Sequence, residues 1–249
     1  MIRFSKTRCR VPPKGSDLGA PLGSRMARTR FYLAIIAIAA LTFSGCGWFS
    51  KDKPEKPAQQ LVEEGVNDFD RGNYKDALEA FQQLRDWYPF SKYAILAELR
   101  IPDAHYHLKE YPEAVAAYEE FERLHPRNEA VPYVIYQIGR CHFEQIDTVD
   151  RDQTSARKAM ETFQRLMRQY PDDPYAKQAN GHLVACIQSL AGHEFYVGQF
   201  YYKRQYYQAA LHRFLAVINQ YPDVGYHDQA LHYIAECQAY KTVDPKTVQ

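Results

Sequence analysis

The chain has 249 residues, 31 of them Lys or Arg and 30 Asp or Glu, with a formal net charge of +1. Eight of the basic and one of the acidic residues fall within residues 1–45, so the remainder carries a net charge of −6. Such a body lacks the basic surface that displaces counterions from a phosphate backbone, which argues against nucleic acid as a partner. Tyrosine is frequent, at 20 residues, and suits helix seams and partner surfaces because its ring packs while its hydroxyl stays wet.

Residues 1–25 hold Pro12-Pro13, several glycines and scattered bases, and read as neither signal nor fold. The stretch from Met26 makes a better signal start, so translation is expected to begin there. Arg28-Thr-Arg30 is followed by thirteen apolar-rich residues, Phe31 to Phe43, too few for a membrane-spanning helix and suited to a secretory signal. Ser44-Gly45-Cys46 follows, with Phe43 where leucine is usual. This ending resembles the bacterial lipobox, which implies cleavage before Cys46 and a covalent lipid on it; the other reading is an ordinary secretory signal with a chance cysteine. Several acyl chains give stable attachment where one does not. Gly47 stands where aspartate would retain a lipoprotein in the inner membrane, so the expected site is the periplasmic side of the outer membrane. Residues 1–45 are thus an extension and signal peptide, and 46–58, rich in Lys, Pro and Glu, a solvated tether.

Residues 59–240 contain an internal repeat anchored on Pro89, Pro126, Pro171 and Pro222. Twelve residues before each proline stands Ala77, Ala114, Ala159 or Ala210. Eight before stands Phe81, Tyr118, Phe163 or Phe214. Five before stands Leu84, Phe121, Leu166 or Val217. Steps of three and four place each set on one helix face, and the proline ends the helix. A second column follows twelve and fifteen residues after each proline: Ile101 with Ala104, Ile138 with Cys141, Leu183 with Cys186, Ile234 with Cys237. Each unit is therefore two helices, and the alanine–aromatic–proline signature resembles a tetratricopeptide repeat. Gly65 and Gly72-Asn73-Tyr74 match that family too. The expected fold is all-α, a tetratricopeptide-like superhelical solenoid of about five helix-turn-helix units.

The spacing is irregular. A polar loop at 146–154 lengthens the third unit. The fourth has a long helical region, 175–204, with Gly192 a candidate break. Pro102 is expected to kink the helix it lies in. The last unit shows one helix, about 226–240, before a tail at 241–249.

Motifs for chemistry are sparse. Cys141, Cys186 and Cys237 share one repeat position, read as free buried thiols because units stack too far apart for disulfides. His182 and Cys186 share a face without further ligands, so no metal site is expected. Ser155 and Ser189 lack a nucleophile context, and Glu63-Glu64 and Glu119-Glu120 suit solvated faces. The run from Phe195 to Tyr207 carries more rings than one helix face can bury, leaving internal packing and a partner surface both open.

Two segments are more specific. Tyr88-Pro89-Phe90-Ser-Lys-Tyr93 and His193-Glu194-Phe195-Tyr196-Val197, with Tyr201-Tyr202 and Tyr206-Tyr207 after it, resemble the BamD (ComL/YfiO) family. That resemblance implies a non-enzymatic, cofactor-free, lipid-anchored scaffold of the β-barrel assembly machinery. Its implied partners are a POTRA domain of the BamA barrel, other assembly-complex lipoproteins and unfolded outer-membrane proteins. It also implies a substrate-side surface at Lys75, Tyr88, Phe90 and Tyr93, and a BamA-side contact at Arg213. The alternatives are a tetratricopeptide lipoprotein serving a pilus secretin or envelope division, and an envelope enzyme with appended repeats, for which little chain is left over.

Overall fold

The computed structural model describes residues 56–243. Met26, Cys46 and the signal lie outside the described residues, as does the tail beyond Val243. The described residues form nine helices and no strand: α1 Ala58–Asp70, α2 Tyr74–Trp87, α3 Ala94–His107, α4 Tyr111–Leu124, α5 Val131–Phe143, α6 Thr154–Gln169, α7 Pro174–Lys203, α8 Tyr207–Gln220 and α9 His227–Val243. Each helix packs on its neighbours in sequence, and α5 also reaches α7. The pairs α1/α2, α3/α4, α5/α6 and α7/α8 are the repeat units, with α9 opening the next. This is a tetratricopeptide-type solenoid.

The repeat columns become the core. All four alanines twelve before a proline, all four aromatics eight before and all four apolar residues five before are buried. The aromatic is a wedge. Phe81 lies against Gly65, Phe163 against Gly139 and Phe214 against Gly198, each time joining the two helices of one unit. The same ring reaches the first helix of the next unit: Phe163 stacks on His182, Phe214 on Tyr233, and Tyr118 meets Tyr133 edge-on. One ring thus seals two interfaces, and burying it contributes about 1.5–3 kcal/mol.

The turn within three units uses one device. Gly72, Lys109 and Gln205 all take a left-handed conformation, with φ of 81°, 62° and 66°, each two residues before the tyrosine that opens α2, α4 or α8. The following amide then bonds back across the turn, from Asn73 to Asp68, Glu110 to His105 and Tyr206 to Tyr201, closing the end of the first helix in a Schellman-type pattern.

One expectation needs correction. α7 does not break at Gly192; it runs unbroken for 30 residues. Gly192 is there because Tyr226 and Val149 crowd it: an added Cβ would stand 2.7 Å from the Tyr226 hydroxyl oxygen and 3.1 Å from Val149 Cγ1. The loop after α5 is docked onto α7 at this point. His193 Nδ1 donates to the Val149 carbonyl (2.6 Å), and Ser189 Oγ donates to buried Gln153 (2.8 Å). In α3, Pro102 lies inside the helix and is buried. Pro102 stands sixteen residues before Tyr118, the spacing that separates Gly65 from Phe81 and Gly198 from Phe214, so it occupies the equivalent position in its unit.

Candidate partner-binding surfaces

The turn between α2 and α3 holds three of the candidate residues. The amide of Ser91 bonds to the Tyr88 carbonyl (3.0 Å) and that of Ala94 to the Ser91 carbonyl (3.1 Å), so the turn is tight. Tyr88 folds inward: its ring packs on the cluster of Leu61, Phe81 and Leu84, and its hydroxyl donates to the Lys56 carbonyl (3.0 Å). Tyr93 packs on the same cluster, with the Lys92 ammonium 4.9 Å from its ring centre. Phe90, between them, is 101% exposed, and Trp87 (41%) and Ile95 (46%) flank it. Lys75 is not part of this group. It lies exposed in the first turn of α2, about 20 Å along the helix from Tyr88 at 1.5 Å per residue.

Arg213, on α8, donates to Glu194 of α7 (2.9 Å) and is partly exposed. The long aromatic run divides into rings packed on the core and rings left exposed. Phe195 is buried, and Tyr201, Tyr202 and Tyr207 pack on the last core cluster. Tyr196, Phe200 and Tyr206 face outward, and the Arg204 guanidinium lies 3.7 Å over the Phe200 ring. Exposed rings with a cation over one of them suit contact with another protein.

One buried polar cluster has no counterpart among the sequence expectations. Asp103 is 3% exposed on α3. It accepts from the hydroxyls of Tyr118 and Tyr133, both at 2.6 Å, and pairs with Arg100 at 3.1 Å. Burial, then the Asp103 carboxylate, push the Tyr118 hydroxyl well above its ordinary range, so it stays a donor. The available signal was the tyrosine at 118 where the other units carry phenylalanine. Nearby, Arg140 donates to the Tyr106 hydroxyl and to Glu144, tying α5 to α3.

The residues with chemistry in reserve are engaged in packing. Ser189 and His193 hold the loop, and burial pushes the Cys141 and Cys186 thiols up to about 12 and Cys237 to about 11. Burial lowers the basicity of His182. Among the described residues no group of three His, Cys, Asp or Glu could hold a metal ion.

Residues 54–249 match the family model YfiO, described as outer membrane lipoprotein. The chain belongs to the BamD/YfiO family. Curated relatives agree. The chain is 32% identical over 216 residues to the outer membrane protein assembly factor BamD of Caulobacter vibrioides, covering 85% of this chain and 70% of that one. It is 28% identical to the BamD of Pasteurella multocida, covering 81% of each, and 30% identical to that of Neisseria gonorrhoeae, covering 75% of this chain and 73% of that one. As a member of the BamD/YfiO family it is an outer-membrane lipoprotein facing the periplasm. The family match spans all nine helices, including both surfaces described above.

Proposed function

We propose that this protein is a scaffold of the β-barrel assembly machinery, held to the outer membrane by a lipid on Cys46. It binds a POTRA domain of the BamA barrel through its last units, with Arg213 in the contact. It works beside other assembly-complex lipoproteins and receives unfolded outer-membrane proteins near Tyr88, Phe90 and Tyr93, with Lys75 at the far end of α2. The match of residues 54–249 to the family carries this reading. The names of the relatives, assembly factors for outer-membrane proteins, support it. A solenoid of stacked units offers long surfaces for polypeptides, and the role is one of binding without cofactor or catalysis.

The test is purification of the membrane-tethered protein under mild detergent, with its companions identified by mass spectrometry. A POTRA-bearing barrel protein should co-purify and be lost in Arg213→Glu. Because Arg213 also pairs with Glu194, the double variant Arg213→Glu/Glu194→Arg separates the two roles. It restores the internal pair, so a barrel protein that stays lost assigns Arg213 to the partner. Recovery of a secretin or division complex instead would leave the fold and remove the function.

A further inference from the structure

The α2–α3 turn ends in a projecting apolar tip that the packing of the solenoid does not explain. Phe90 is fully exposed, with Trp87 and Ile95 exposed on either side. Hydrogen bonds pin the turn, so the ring is held outward by a rigid backbone. Each exposed ring forgoes the stabilisation that burial would return. A planar apolar layer needs only the tip. Lys92 stands two residues along and is also exposed, placed to meet headgroup phosphates while the rings enter.

The start of the described chain lies at the same place. The Lys56 carbonyl accepts the Tyr88 hydroxyl at 3.0 Å. From Cys46 to Lys56 is ten residue steps, which even fully extended span at most about 35 Å. An acylated Cys46 therefore keeps this edge of the solenoid within about 35 Å of the bilayer. Tethering of that kind raises the local concentration of a weak contact enough to populate it.

We infer that the α2–α3 turn is a second membrane contact, in which Phe90, Trp87 and Ile95 rest in the lipid–water interface of the membrane that holds the anchor. This inference rests on the lipid anchor proposed above. It differs from the client-side role of Phe90, and the experiment separates the two.

The chain has two tryptophans, Trp48 and Trp87, so Trp48→Phe leaves Trp87 as the single reporter. The lipidated Trp48→Phe protein is reconstituted into phosphatidylethanolamine–phosphatidylglycerol vesicles. Acyl chains brominated at a shallow or a deep position serve as quenchers. Trp87 emission should shift to the blue on reconstitution and be quenched more by shallow bromine than by deep bromine. Adding Phe90→Asp should abolish most of both effects with the helical circular dichroism unchanged, since Phe90 touches no core. Vesicle flotation is recorded alongside. Protein that floats while Trp87 emission ignores bromine overturns the inference and leaves the anchor standing. Protein that neither floats nor carries a lipid mass overturns both. Emission that ignores bromine but shifts to the blue as protein concentration rises makes the turn a contact between copies, and also overturns the inference.

Discussion

Gly198 of α7 lies directly under the ring of Phe214 of α8: a Cβ added to it would stand 2.6 Å from Cε1. The ring is fully buried and stacked against Tyr233 of α9, at 4.9 Å between centres. It has no room to retreat. Gly198→Ala should therefore overpack the joint and destabilise the protein by about 1–3 kcal/mol. Gly181, in the same helix, has nothing within 4 Å of an added Cβ. There alanine should be neutral or stabilising by up to about 1 kcal/mol, since glycine loses more freedom on entering a helix. Urea midpoints of the two variants check the contrast; equal midpoints would mean the joint is looser than the packing indicates.

Tyr118 is the one member of its column with a hydroxyl, and Asp103 is the reason. Tyr118→Phe restores the residue used in the other units but removes a 2.6 Å bond from a carboxylate that is 3% exposed. A hydrogen bond to a charged group contributes about 1.5–3 kcal/mol, and that loss is the expected cost. Pairing the change with Asp103→Asn in a double-mutant cycle should show strong coupling, because Tyr133 and Arg100 hold the same carboxylate. Additive effects would place the energy elsewhere.

The repeat columns were legible because buried positions three and four apart leave a trace in the chain itself. Ala77, Phe81 and Leu84 could be read as one face without knowing what they touch. What stayed illegible depended on residues distant in sequence. Gly192 looks like a helix break until Tyr226 and Val149 are seen against it. Phe90 and its neighbours Tyr88 and Tyr93 belong to one motif, yet only the two tyrosines fold back onto the core formed with α1. No local pattern separates them, because the choice depends on where α1 lies. The same holds for Asp103, a polar residue on an otherwise apolar face, whose three partners come from three helices.

The turn residues Lys109 and Gln205 were also hidden, since neither announces a left-handed backbone as Gly72 does. An L-residue held at positive φ is strained by about 1–2 kcal/mol, while glycine there is not. Part of that gain is offset by glycine's greater freedom in the unfolded chain. Lys109→Gly and Gln205→Gly should each leave stability unchanged or raise it by up to about 1 kcal/mol. Gly72→Ala should lower it by a similar amount. Thermal melts of the three single variants give the comparison. A fall in stability for both lysine and glutamine replacements would show that their side chains, and not the backbone, hold the turns.

The buried thiols fix how stability changes in alkali. Burial moves Cys141 and Cys186 from an ordinary value of 9.0 up to about 12, and Cys237 up to about 11. Above pH 9 the unfolded chain gives up these protons while the folded chain keeps them, so the unfolded state binds fewer protons and stability falls as pH rises. The contribution is fully present below pH 9 and is lost as pH climbs through the folded values. Each thiol adds a slope of at most about 1.4 kcal/mol per pH unit. Buried tyrosines, Tyr118 and Tyr133 among them, are raised from 10.0 by burial and add their own loss at higher pH. The interval between pH 9 and 10 therefore reports mainly on the thiols. Replacing all three by alanine, the residue that position 104 already carries in the second unit, should flatten the decline there and leave the steeper fall above pH 10. Urea midpoints at pH 7, 9 and 10 for parent and triple variant make the measurement. An unchanged slope would mean that the thiols ionise as readily folded as unfolded, and that the seam between units admits water.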